Sequence, residues 1–177
     1  MKKTFPLAKV HTLLQPGPVV MVSSAWKGKT NIMTMSWHTM LDFDPPLVGC
    51  VISAENHSFR MIKSSRECVL NIPTAELAAE AAACGACSGA DTDKFLKFGL
   101  TPQKGSLVKA PLIKECWASL ECRLHDAGMA AKYDLLVMRV VKAWADGAVR
   151  EPRTLHHLGG RDFMVAGRRL KAPAFKA

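Results

Sequence analysis

The chain has 177 residues, of which 49% are apolar and 22% charged, a composition that makes a folded domain with one buried core and excludes a disordered or low-complexity chain. Lys and Arg number 24 against 15 Asp and Glu, leaving a net charge of +9 that favours anionic partners: nucleic acid, a phosphorylated cofactor or an acidic protein. The basic residues are scattered, and the densest group, Arg168, Arg169 and Lys171, is too small for a nucleic-acid arm.

The first residues, MKKTFPLAKVHTLLQPGPVV, carry Lys2 and Lys3, but Pro6, Lys9, His11, Gln15 and Pro16 interrupt any apolar stretch. No secretory signal is read there, and no run of about twenty apolar residues occurs that would span a bilayer. The expectation is one cytoplasmic domain over residues 1–177, with no membrane contact and with its six cysteines reduced.

In chain order, Val19 to Ser24 reads as a strand, WKGKT as a hairpin turn around Gly28, and Asn31 to Trp37 as the returning strand. A loop ending at Pro45-Pro46 follows. Leu47 to Ile52 is a third strand whose lack of alternation predicts burial on both faces. Ser58 to Ser65 is a short helix with Phe59 and Ile62 facing inward, and Cys68 to Ile72 another apolar strand. Thr74 is placed to cap an Ala-rich helix that Gly85 would end, and Asp93 to Phe98 forms a second short helix closed by Gly99.

Beyond Pro111 the strand pattern returns. CWASLECRLHD puts Trp117, Ser119, Glu121 and Arg123 on one face, and Cys116, Ala118, Leu120, Cys122 and Leu124 on the face toward a core. Tyr133 to Ala145 is a long strand and DFMVAG a last one. Many short strands with a helical excursion predict a mainly β fold, a barrel or sandwich with a helical insert.

The stretch NIMTMSWH holds the first functional clue. On a strand, Asn31, Met33, Met35 and Trp37 share one face, and Ile32, Thr34, Ser36 and His38 share the other. Thr34 and Ser36 are then neighbouring hydroxyls, beside adaptable methionines, suited to the edge of a flat polar ring. The same pattern also describes a solvent-facing polar side over a Met and Trp core. A second clue is SAENHSF, where Ser53, Asn56, His57 and Ser58 run into a helix whose N-terminus is a ready phosphate site. Asn56 or His57 serves equally as a plain N-cap.

These residues resemble the flavin reductase-like, FMN-binding split-barrel family, and its flavoredoxin-like branch in particular. The likeness runs through Gly28, Asn31, Met33, Thr34 and Trp37, then Asp44-Pro45-Pro46, His57-Ser58 and Cys68-Val69-Leu70-Asn71. Cys68 stands where the family usually has Phe. It continues through CGACSGADTDKF, PLIKECWASLEC and LHHLGGRDFMVAG, nearly the whole chain. The resemblance implies a Greek-key split barrel in which Thr34, Met35, Ser36 and Trp37 edge the isoalloxazine. It implies that Ser53, Asn56, His57 and Ser58 hold the ribityl phosphate, that Lys94 adds charge, and that FMN lies at a homodimer interface.

Other motifs carry less. CGAC, Cys84 to Cys87, follows a helix C-terminus, where the dipole opposes thiolate formation, and Cys116 and Cys122, about 20 Å apart on a strand, cannot complete a zinc site with it. HHLGG, His156 to Gly160, is either a close approach to a flavin or nicotinamide face, with His157 as a substrate contact, or a loop between strands. No catalytic side chain and no metal ligand is assigned. Three functions remain: an NAD(P)H-dependent reductase working through FMN, an FMN electron carrier for an acidic redox partner, and a nucleic-acid-binding barrel. One Tyr, and Phe and Trp residues placed mostly in buried strands, count against the last.

Overall fold

Val20–Trp26 (β1) and Lys29–Met35 (β2) form the predicted hairpin, paired from Val20 opposite Met35 to Trp26 opposite Lys29. In the computed structural model, which describes residues 17–168 and 170, its turn places Lys27 and Gly28 at φ 49° and 75°. That mirror-image turn matches the twist of the ribbon, and glycine takes the second position without strain. The stretch read for a secretory signal up to Pro16, and Arg169 and Lys171 of the basic group, lie outside the described residues.

Ser36 and Trp37 lead directly into His38–Phe43 (β3), where the sequence predicts a loop. It pairs with Pro46–Val51 (β4) across a turn that holds the cis Asp44–Pro45 bond. The strand leaves no period-two signature because Thr39 to Phe43 are all exposed on an edge strand.

His57–Ser65 (α1) and Glu67–Ile72 (β5) follow as predicted, α1 burying Phe59 and Ile62. Thr74 begins a 3-10 turn, Ala75–Leu77, rather than capping the Ala-rich helix, Ala78–Gly85 (α2). Gly85 closes α2 from inside its last turn, not from the position beyond it. A Cβ there would stand 3.3 Å from the Thr34 Cβ, a tight contact, so the helix end lies close on β2. Lys94–Lys97 (α3) is capped by the Asp93 carboxylate and stopped by Gly99 at φ 64°.

Two short strands, Pro102–Gln103 (β6) and Leu112–Ile113 (β7), pair with each other before Ala118–Asp126 (β8). Tyr133 ends a helical turn, Ala130–Tyr133 (α4), instead of opening the long strand Leu135–Ala145 (β9). Leu155–Gly159 (β10) and Asp162–Val165 (β11) form a final hairpin, so HHLGG is a strand and turn rather than a loop.

The main sheet has the order β2-β1-β5-β8-β9-β4-β3, antiparallel throughout. Its two edge strands, β2 and β3, are joined by Ser36 and Trp37 alone, so the sheet must roll until its edges approach. Val51 N donates to Trp37 O at 3.0 Å, extending the β3–β4 ladder back to this link. Val22, Met33, Cys50, Leu70, Cys122 and Met138 meet inside with Phe59 and Ile62. This is the expected mainly β split barrel, with β5 returning beside β1 in Greek-key fashion.

The outer face of β1 and β2 is covered as well. Val19, Met21 and Ile32 pack under Ala81 and Cys84 of α2, Phe95 of α3 and Leu100. Alanines at i, i+3 spacing let the helix lie close on the strands.

Asn71, part of the family-like motif, ties four segments together. Its amide donates to Met21 O and Ser23 Oγ, and its oxygen accepts from Ile113 N and Ser119 Oγ. Two readings need correction. Ser119 and Glu121 on the predicted polar face of β8 are buried: Ser119 donates to Asn71 Oδ1, and the loop before β7 folds over Glu121. Trp26, Trp37 and Trp144, taken as strand-buried, are exposed near strand ends and edges. Among the described residues no helix is long and apolar enough to cross a membrane.

Candidate functional site

Two clefts open side by side against β2, separated by the end of α2. The larger, about 560 Å³, is walled by Thr34, Met35 and Ser36, by the α2 alanines, and by His157, Arg161 and Phe163 of the last hairpin. The smaller, about 270 Å³, is lined by Asn31 and Met33, by Glu55 to Ser58 at the head of α1, by the loop from Gly85 to Gly89, and by Lys94. Gly85 and Ala86 belong to both walls, so the two compartments form one elongated site.

Thr34 and Ser36 therefore reach the larger cleft, as the strand phase predicts, but with different freedom. Thr34 Oγ1 donates to Ala81 O at 2.6 Å and fastens α2 to β2. No bond of that kind occupies the Ser36 hydroxyl among the described residues. Met35 is buried in the barrel and also lines this cleft. Trp37 does not line it; its side chain is 56% exposed. His157 is present at the rim, its Nε2 at 3.2 Å from Gly160 O and its ring tilted against Phe163 at 5.3 Å.

In the smaller cleft, Asn56 precedes α1 in extended conformation, no side chain caps the helix, and its first turn holds no acid. The partial positive charge of that end is left for a ligand. Asn56 and His57 line the space. Ser58 is buried and accepts from Asn31 Nδ2 at 2.8 Å. Ser53 stays outside both clefts, its Oγ taking the amide of Glu55 in a local turn. Glu55 brings one carboxylate to the rim.

Lys94 is 3% exposed, and its ammonium donates to Ile32 O and Cys84 O, each at 2.7 Å. An ammonium has three protons, so one donor remains beyond these two carbonyls. Burial pulls its pKa below the ordinary lysine value, while Cys87 and Cys84 push the other way. Cys84 itself is driven up to about 11 by burial, against the pull of Lys94. A thiol held that high is a packing group at the end of a helix, not an activated nucleophile.

Asn31 was not among the predicted contacts. Its Oδ1 is buried without a hydrogen-bond partner and lies at the smaller cleft, where a Cβ on Gly89 would collide with it at 1.8 Å. A buried orphan acceptor calls for a donor from a ligand or water. Its signal in the sequence is an amide in an otherwise apolar strand centre. Arg161, Phe163 and the α2 alanines are the other unpredicted wall residues. Among the described residues no group of three or more His, Cys, Asp or Glu is placed to hold a metal ion.

The comparisons agree with this geometry. Residues 13–163 match the model of the flavin reductase like domain. The Escherichia coli K12 protein YddH, itself uncharacterised, is 32% identical across 97% of this chain and 100% of its own length. An FMN-binding domain of a flavin reductases-like enzyme from Shewanella baltica OS155 superimposes with a TM-score of 0.84 at 29% identity, covering 97% of each chain. The flavoredoxin of Desulfovibrio vulgaris (Miyazaki F) shares the fold with a TM-score of 0.86 at 22% identity, again over 97% of each chain. With its rolled antiparallel sheet, its two-compartment cleft and a family match over most of its length, the chain belongs to the flavin reductase-like family.

Proposed function

We propose that this protein binds FMN and passes electrons through it, taking hydride from a reduced nicotinamide nucleotide. The observation that carries the reading is the joined pair of clefts: one broad and mostly apolar, one narrow and polar, with Gly85 and Ala86 as their common wall. A flat ring system suits the first and a phosphorylated polyol the second. Asn31 Oδ1 offers a buried acceptor to a ribityl hydroxyl, and the uncapped head of α1 and the spare Lys94 proton offer donors to an oxyanion. The FMN-binding relative from Shewanella baltica supports the choice of flavin.

Bound FMN supplies a ring that accepts a hydride and releases electrons singly or in pairs. The chain's own task is placement: Ser36 meets the polar edge of the ring, Met35 and the α2 alanines shape its apolar bed, and Gly85 lets helix and strand approach closely enough to separate the compartments. His157 and Phe163 close the outer side. Two copies pair through the exposed apolar strand β3, beside which Trp37 stands free.

The test is a titration of the purified protein with FMN and riboflavin, then anaerobic addition of NADH or NADPH. FMN is expected to bind more tightly than riboflavin, by the worth of charge-assisted bonds to its phosphate, about 1–3 kcal/mol. Asn56→Asp breaks no capping bond, since the Asn56 side chain makes none, but adds a negative charge at the smaller cleft, and so should weaken FMN far more than riboflavin. Ser58 is a poorer probe because its hydroxyl is buried against Asn31. Equal affinity for both flavins would sink the phosphate assignment. Bound FMN that neither nucleotide bleaches would favour an electron carrier, for which the +9 charge suits an acidic protein partner.

A further inference from the structure

Resting on that reading, we propose that Arg161 binds a phosphate oxyanion of the nicotinamide donor and so selects a phosphorylated donor for the larger cleft. No Asp or Glu lines this cleft, and Arg161 is its one permanently charged wall residue. Among the described residues Arg161 takes part in no ion pair or hydrogen bond, whereas Arg153 is paired with Glu76 at 3.3 Å. An unpaired surface arginine is ordinarily a solvated charge. This one differs in its mounting.

It sits at the tip of the β10–β11 hairpin, where Gly159 and Gly160 take φ 112° and 58° and the register shifts between His157 and Gly159. Those glycines set a turn that other residues would strain. The tip is steadied by the contact of His157 with Phe163 and by the approach of its Nε2 to Gly160 O. Leu155, at the base of the hairpin, is buried in the core beneath α2. The hairpin thus places Arg161 at the wall of a cleft otherwise built from apolar side chains, hydroxyls and rings. A nicotinamide laid in the cleft needs no charge, but the phosphates it trails do, and a forked donor is suited to them.

The experiment compares FMN-loaded wild type with Arg161→Ala and Arg161→Lys, using NADH, NADPH and the uncharged donor N-benzyl-1,4-dihydronicotinamide. For Arg161→Ala, the ratio of kcat/KM for the dinucleotides to kcat/KM for the uncharged donor is expected to fall about tenfold or more, mainly through KM. Arg161→Lys should recover part of it. A fall confined to NADPH assigns the contact to the ribose phosphate, and a fall with both assigns it to the pyrophosphate. An unchanged ratio overturns the proposal. So does a variant that loses its preference for FMN over riboflavin, since Arg161 would then be holding the cofactor. If no donor, charged or not, bleaches the flavin of the wild type, the underlying reductase reading fails, and the donor contact with it.

Discussion

Thr34 and Ser36 are two residues apart and present hydroxyls to one cleft, yet they are expected to answer mutation in opposite ways. Thr34→Val removes the bond to Ala81 O that ties α2 to the sheet, and should cost about 1 kcal/mol of stability with a smaller effect on flavin affinity. Ser36→Ala should lower FMN affinity by about the same amount and leave the urea midpoint where it was. Binding titrations and urea curves on the two variants separate the roles. The phase of β2 was legible from alternation, which put Thr34 and Ser36 on one side and Met33 in the barrel core. What alternation could not convey is that both faces of β2 are buried, so that one hydroxyl is consumed by packing before any ligand arrives. Arg161 was illegible for a related reason: a charged residue after two glycines reads as an ordinary turn until the fold sets that turn against a cleft.

Elements show the same limit more sharply in β8. Alternation assigns Glu121 to solvent, but the segment before β7 crosses over it. The Glu121 carboxylate accepts from the amides of Ser106, Leu107 and Val108 and from the Trp144 indole. Burial pushes its pKa up, and these donors outweigh burial, so the net shift is below the ordinary glutamate value of 4.5. A folded-state pKa below the unfolded one means that Glu121 stabilises the fold above the ordinary value and ceases to do so as pH falls through the depressed one. Glu121→Gln should therefore cost about 3 kcal/mol near neutrality, and the gap to wild type should narrow as pH falls below 4.5. Urea midpoints of both proteins across that range decide it; a gap independent of pH would show that shape rather than charge holds the loop. The loop's grip was invisible in sequence because it depends on backbone amides, which carry no residue signature. The helical insert was easier: Asp93, Gly99 and the alanine run marked its pieces, and only the reason for Gly85 waited for the approach to Thr34.

At the scale of the whole molecule, β3 is the feature that a lone chain leaves unexplained. Met40 and Leu41 are about half exposed and Phe43 is 88% exposed, on an edge strand with no neighbour on its outer side. An edge with such residues invites pairing with another chain. The proposed dimer predicts that wild type sediments as two copies and that Phe43→Lys shifts it toward one, with flavin affinity falling alongside if the partner completes the cleft. A monomeric wild type would remove the dimer from the proposal. The barrel fold itself was foreseen from strand count and turn signals, but its second edge strand was not, because β3 lacks a buried face. Ser36 and Trp37 alone join the opposite edges of this seven-stranded sheet. Ser36 is also a wall of the larger cleft. The link between the sheet's two edges therefore borders the proposed flavin cleft. A guest seated against Ser36 would rest on the link between both edge strands, so occupancy of the cleft is expected to slow amide exchange in β2 and β3 together.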